Sequence, residues 1–152
     1  MFKILVLALM LAAAPLARGE NPVAVDAGGF AEQRAAIEKD LGDGKTYSEI
    51  SSADRGKVRG SLDRISAMLD GGKSPDALTA DQKVDLYNTQ EVINTLLTQA
   101  RADSRVVCAR DAATGSHRRV TTCNTVAERD RRRAMDQENL AKLRRGIAPA
   151  GN

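Results

Sequence analysis

The chain has 152 residues, with 23 basic side chains against 20 acidic ones, a net charge of +3 and 42% hydrophobic residues. That is enough for one domain with a core of its own. Beyond Phe2 only Phe30, Tyr47 and Tyr87 supply aromatic rings, and there is no tryptophan; stacking platforms for single-stranded nucleic acid or for sugars are scarcely available, and no nucleic-acid partner is expected.

Residues 1–19 read as a cleavable signal peptide. Lys3 gives a positive start, Ile4 to Ala14 is an uninterrupted apolar run, Pro15 breaks it, and Ala17 and Gly19 are the small residues before a cut at Glu20, the three parts of a secretory signal. The run is shorter than the roughly 20 apolar residues that a bilayer requires, and the three-part pattern favours a signal over a buried N-terminal helix. No cysteine near the cut could carry a lipid. The expected location is therefore periplasmic or secreted, with no transmembrane segment in the mature chain. Removing residues 1–19 of 152 leaves 133, and with Lys3 and Arg18 gone the mature chain holds 21 basic and 20 acidic residues, net +1. Basicity is concentrated at one end: residues 20–100 carry 9 basic and 14 acidic groups, residues 101–152 carry 12 and 6. Such asymmetry points to a tail region that meets an anionic partner.

Residues 20–29 contain proline and glycine without periodicity and read as a disordered lead-in. From Phe30 the period is helical, with Phe30, Arg34, Ile37 and Leu41 on one stripe and Gly42 and Gly44 as the stop. Ser51, Ser52 and Asp54 open a second helix. Its seam is Val58, Leu62, Ile65 and Leu69, Gly56 and Gly60 fall on the opposite face, and Gly71 and Gly72 end it. In the third helix Thr79 and Gln82 form a capping box. Leu86, Val92, Ile93, Leu96, Leu97 and Ala100 share its apolar arc, and Asn88, Glu91, Asn94 and Thr95 lie on the other side as a solvated face.

Past Ser104 the pattern turns β-branched: Val106, Val107 and Cys108, then Val120, Thr121, Thr122 and Cys123, around the turn segment Ala113-Thr114-Gly115-Ser116. A hairpin at about residues 105–124, centred between Gly115 and Ser116, sets Cys108 opposite Cys123. The expectation is a cross-strand disulfide, contributing about 3 kcal/mol in the loop-entropy model and favoured by an oxidising compartment. Structural zinc wants four ligands, which two cysteines do not supply. Thr125 and Glu128 make a second capping box for a last helix running towards Arg145. With only Val126, Ala127, Ala134, Leu140 and Ala141 on its apolar arc, it is expected to be the most exposed and mobile helix. Residues 148–152 are a tail. The fold expected is mainly α: a three-helix N-terminal part, then a disulfide-stapled β-hairpin and an exposed C-terminal helix, forming a single domain over residues 30–147.

No residues stand out as catalytic, cofactor-binding or metal-binding. His117 is the lone histidine and sits at the hairpin tip between Ser116 and Arg118; without a partner to orient its ring it reads as a turn residue rather than a general base. No phosphate loop, nucleophile elbow or paired-His helix is present, and the acidic residues offer no way to single out a glycosidase pair. The arginines remain: Arg110, Arg118 and Arg119 on the hairpin, and Arg129, Arg131, Arg132 and Arg133 at the start of the last helix. Guanidinium forks hold phosphate and carboxylate bidentately. Asp111, Glu128 and Asp130 are interleaved with them, as on an ordinary solvated face.

Cys108-Ala109-Arg110, Thr114-Gly115-Ser116 and Cys123-Asn124-Thr125 together resemble the two-cysteine hairpin of small, exported, uncharacterised proteins of proteobacteria. Tyr47-Ser48-Glu49-Ile50 and the stretch Asn88 to Leu97 are similar to the helical part of those proteins, so the resemblance covers most of the mature chain. It implies an envelope location and no particular activity. Asn124 stands where that group more often has arginine, which thins the basic patch.

Two functional expectations follow. The first is a non-catalytic exported protein, an interaction or binding module that presents its basic hairpin and helix to an envelope protein or an anionic envelope component. The alternative is a small periplasmic hydrolase or enzyme accessory with a polar site around Tyr87, Asn88 and Glu91.

Overall fold

A computed structural model describes residues 22–70, 73–112 and 118–147. The expected signal peptide, the centre of the hairpin turn with His117, and the tail lie outside the described residues. In chain order the elements are α1 (Phe30–Gly42), α2 (Ser52–Met68), α3 (Ala80–Ser104), β1 (Val106–Ala112), β2 (Arg119–Thr125) and α4 (Val126–Ile147). The expected mainly helical architecture, with a two-stranded hairpin and a C-terminal helix, is the one observed.

The core forms where the sequence seams meet. Val58, Leu62 and Ile65 of α2 are fully buried against Leu86, Ile93 and Leu97 of α3, and Ile37 and Leu41 of α1 complete the layer. Each such side chain taken fully out of water contributes about 1.5–3 kcal/mol, so this seam holds the three helices together. Local signals set the helix starts. The Asp54 amide donates to Ser51 Oγ at 3.0 Å at the head of α2. At α3 the Thr79 amide donates to Gln82 Oε1 at 3.0 Å and the Gln82 amide returns to Thr79 Oγ1 at 3.3 Å, closing the capping box.

Residues 22–29, expected to be a disordered lead-in, are instead a docked strap. Val23 and Val25 belong to the core, and carboxamides take the place of a neighbouring strand. Asn94 of α3 accepts the Val23 amide at 2.9 Å and donates to the Val23 carbonyl at 3.0 Å. Gln90 accepts the Val25 amide at 2.9 Å, and Gln33 of α1 accepts the Ala24 amide at 2.8 Å and donates to the Ala24 carbonyl at 3.1 Å. The strap enters α1 through Gly28 (φ 72°, ψ −178°) and Gly29 (φ 62°, ψ 33°). The first of these conformations is essentially confined to glycine.

The strap also corrects the expected faces of α3. Asn94, read as part of a solvated face, is 5% exposed because the strap covers that flank. Val92, placed on the apolar arc, lies along the groove between α2 and α3 and is 45% exposed.

Candidate functional site

The hairpin and the first turns of α4 hold most of the arginines singled out by the sequence. The β-branched runs pair antiparallel in the register Val106↔Thr125, Cys108↔Cys123, Arg110↔Thr121 and Ala112↔Arg119. Cys108 and Cys123 are disulfide-bonded, with Cα atoms 4.0 Å apart. Paired positions share a face and alternate positions change it. One face of the ribbon therefore carries the cystine with Arg110 and Arg119, and the register positions of the other are Val107, Ala109, Asp111, Val120, Thr122 and Asn124.

Helix α4 starts at the next residue, and its start is firmly set. The Glu128 amide donates to Thr125 Oγ1 at 3.1 Å, the Thr125 amide donates to Glu128 Oε2 at 3.1 Å, and the Val126 amide donates to the Arg105 carbonyl at 3.0 Å. This abrupt strand-to-helix turn brings one side of α4 alongside the cystine-free face of the hairpin. Val107, Ala109, Thr122 and Asn124 then enclose, with Arg129, Arg132 and Arg133, a groove of about 300 Å³. Arg132 Nη2 donates to Asn124 Oδ1 at 3.1 Å, which orients its guanidinium. Arg133 pairs with Asp130 at 3.2 Å on the exposed flank. No carboxylate lines the groove among the described residues.

The seven arginines thus do not form one patch. Arg129, Arg132 and Arg133 converge; Arg110 and Arg119 belong to the opposite face of the ribbon; Arg118 is exposed ahead of β2. Arg131 points the other way along α4 and donates to Glu49 Oε2 at 2.9 Å. Glu49 also accepts the Thr125 hydroxyl at 2.7 Å, and its own amide donates to the buried Ser104 Oγ at 2.9 Å. The hydrogen bond from Arg131, then that from Thr125, hold the Glu49 carboxyl below its ordinary pKa, and the same contact raises that of Arg131. Sequence reasoning missed Glu49, which docks α4 onto the helical core; a single acid in a loop carries no local signal. It also read Asn124 as a loss to the patch, whereas that side chain orients Arg132.

The residues of the alternative polar site have separate engagements. The Tyr87 hydroxyl donates to Asp26 at 2.8 Å, Asn88 lines a groove of about 360 Å³ between α2 and α3 beside the Arg64–Asp85 ion pair, and Glu91 accepts the Thr95 hydroxyl at 3.3 Å. Among the described residues there is no cluster of three or more histidine, cysteine or acidic side chains able to hold a metal ion, and no helix long and apolar enough to cross a membrane. Searches for similar proteins found no matching family model, no matching curated protein and no matching solved structure.

Proposed function

We propose that the protein is an exported, non-catalytic binding module of the cell envelope that engages an anionic envelope component, the phosphate groups of a lipid surface, through the arginine groove between the hairpin and α4. The observation that carries this reading is the convergence of Arg129, Arg132 and Arg133 on one groove that no carboxylate lines among the described residues, with Asn124 orienting one guanidinium and Asp130 engaging Arg133 from the flank. Guanidinium forks present parallel N–H donors to phosphate oxygens, and Thr122 adds a hydroxyl beside them. The disulfide supports the export half of the reading, since such bonds persist in oxidising compartments such as the periplasm and the extracellular medium.

The test is co-sedimentation of purified protein with phosphatidylglycerol vesicles and with neutral phosphatidylcholine vesicles, at low and high salt. Binding to the anionic vesicles alone, weakened by salt, is expected. Each basic side chain near such a surface contributes about 1 kcal/mol, so a triple variant, Arg129→Gln with Arg132→Gln and Arg133→Gln, is expected to lose on the order of a hundredfold in affinity. Equal binding to both vesicle types, or an unchanged triple variant, would sink the proposal.

A further inference from the structure

We infer that the protein has a second ligand site, separate from the arginine groove: the cleft at the C-terminal end of α3 binds a small molecule bearing an oxyanion, a carboxylate or a phosphate. The cleft measures about 810 Å³ and is walled by the beginning of the strap (Pro22), the loop after α1 (Lys45, Thr46), the last turns of α3 (Thr98, Arg101) and the residue that follows them (Arg105). Its volume falls within the roughly 300–1,000 Å³ usual for small-molecule sites.

The charge of its walls is one-sided. Among the described residues three cations line it and no carboxylate does, and none of the three is held in an ion pair. Lysine and arginine can only donate, so a ligand that satisfies them must bring acceptor oxygens. Two acids stand outside the lining of the cleft: Asp40 lines the adjoining groove with Pro22 and Arg101, and Asp43, whose carboxylate feels the Lys45 charge, is held by its own loop. Asp43 accepts the amides of Lys45 and Thr46 at 2.7 and 2.9 Å and the Thr46 hydroxyl at 2.5 Å.

One of the cations is oriented before any ligand arrives. Arg101 lies over the Tyr47 ring at 5.6 Å from its centroid, and its Nη2 donates to the Tyr47 hydroxyl at 3.2 Å. That ring is only 2% exposed, so it is a rigid seat. Holding a side chain in place beforehand lowers the ordering cost of binding. The pyrrolidine of Pro22 and the methyl groups of Thr46 and Thr98 give the rest of the wall an apolar character that suits a short hydrocarbon body.

The experiment is an amide NMR titration of the purified protein with octanoate and, separately, with inorganic phosphate. Saturable shifts at the amides of Thr46, Thr98 and Arg105 are expected with at least one probe, and which one responds identifies the oxyanion. The double variant Lys45→Gln with Arg105→Gln is expected to weaken that binding at least tenfold. Both side chains are exposed, so its spectrum away from the cleft is expected to remain that of the native fold. Lys39→Gln on the exposed side of α1 is expected to bind as the parent does, and so is the Arg129, Arg132 and Arg133 variant, which separates this site from the groove. Absence of saturable shifts with both probes, or equal binding by the Lys45 and Arg105 variant, overturns the assignment.

Discussion

Glu49 and Thr125, 76 positions apart, meet through a 2.7 Å hydrogen bond from the threonine hydroxyl to the glutamate carboxylate. Thr125 is also the residue that caps α4, so one side chain both starts that helix and fastens it to the loop before α2. The Glu49 side chain is 15% exposed and its partner Arg131 is 60% exposed, so the contact is half shielded from solvent and from salt.

This contact makes the docking of α4 pH-dependent. The folded-state pKa of Glu49 lies below its unfolded value, lowered first by Arg131 and then by Thr125. Its contribution is therefore present above the ordinary glutamate pKa of about 4.3 and lost as pH falls through the lower folded value. Acidification through this range is expected to lower the amide protection factors at the start of α4, with the intrinsic pH dependence of exchange divided out, and Glu49→Gln is expected to flatten that dependence. Asp43 and Asp54, also lowered by hydrogen bonds from Thr46 and Ser51, keep the remaining slope of global stability. An unaltered pH profile at α4 in the Gln variant would contradict this account.

Replacing Asn94 is expected to be costly. Asn94→Ala leaves the amide and the carbonyl of Val23 unpaired inside the core, and a buried unsatisfied group costs about 1–3 kcal/mol. A loss of about 2–4 kcal/mol in urea unfolding is expected. Asn94→Asp keeps the acceptor for the amide but sets an oxygen against the carbonyl and buries a charge. It is expected to be at least as destabilised near neutrality and to recover in acid. A loss under about 1 kcal/mol in both variants would mean that the strap does not dock as described.

The two glycines that join the strap to α1 are expected to differ. Gly28 has φ 72° and ψ −178°, a region that other residues enter at a cost of about 1–3 kcal/mol. Gly29 has ordinary left-handed helical angles, which asparagine tolerates. Gly28→Asn is thus expected to lower the melting temperature clearly and Gly29→Asn only slightly. In the second variant the new Cβ meets the flexible end of Glu32 at 3.3 Å, where the side chain can give way. Equal losses would refute the distinction.

Breaking the disulfide is expected to act locally. The ribbon joins the rest of the molecule mainly through Thr125, Val126 and Asn124 near its base, while the α2–α3 seam lies elsewhere. Cys108→Ser with Cys123→Ser is expected to remove amide protection over Val106–Ala112 and Arg119–Thr125 and to leave the core helices protected. In the loop-entropy model the bond contributes about 3 kcal/mol. The same variant is expected to weaken vesicle binding, since the groove loses one of its walls. Retained protection in both strands would show that the ribbon is held without its staple.

What was legible in the sequence was local. Both capping boxes, the α2 seam and the pairing of Cys108 with Cys123 follow from spacings of a few residues or from the symmetry of one turn. What was not legible depended on distant partners. Val23 carries no period of its own, and its burial is decided by a carboxamide 71 positions away. Asn94 was set on the wet face because a polar side chain on a helix usually is. The division of the arginines between two faces was implicit in the strand alternation, since Cys108 and Arg110 share parity, but their sequence proximity made them look like one patch. The cleft draws on three separated segments, the strap at Pro22, the loop with Lys45 and the end of α3 with Arg101 and Arg105, and has no trace in any one of them.

The strap also imposes an order of events. Synthesis delivers Val23 and Val25 long before Asn94, and contacts of high sequence separation close late because the intervening loop must be ordered first. Until α3 exists these valines stay wet, available to any chaperone that grips nascent apolar segments. Strap closure is then the last stitch rather than the nucleus, so Val23→Ala is expected to accelerate unfolding while leaving the refolding rate nearly unchanged, and a slowed refolding limb would place the strap in the nucleus instead. The first core residues to be made are, on this kinetic view, the last to settle and the ones that set the lifetime of the native state.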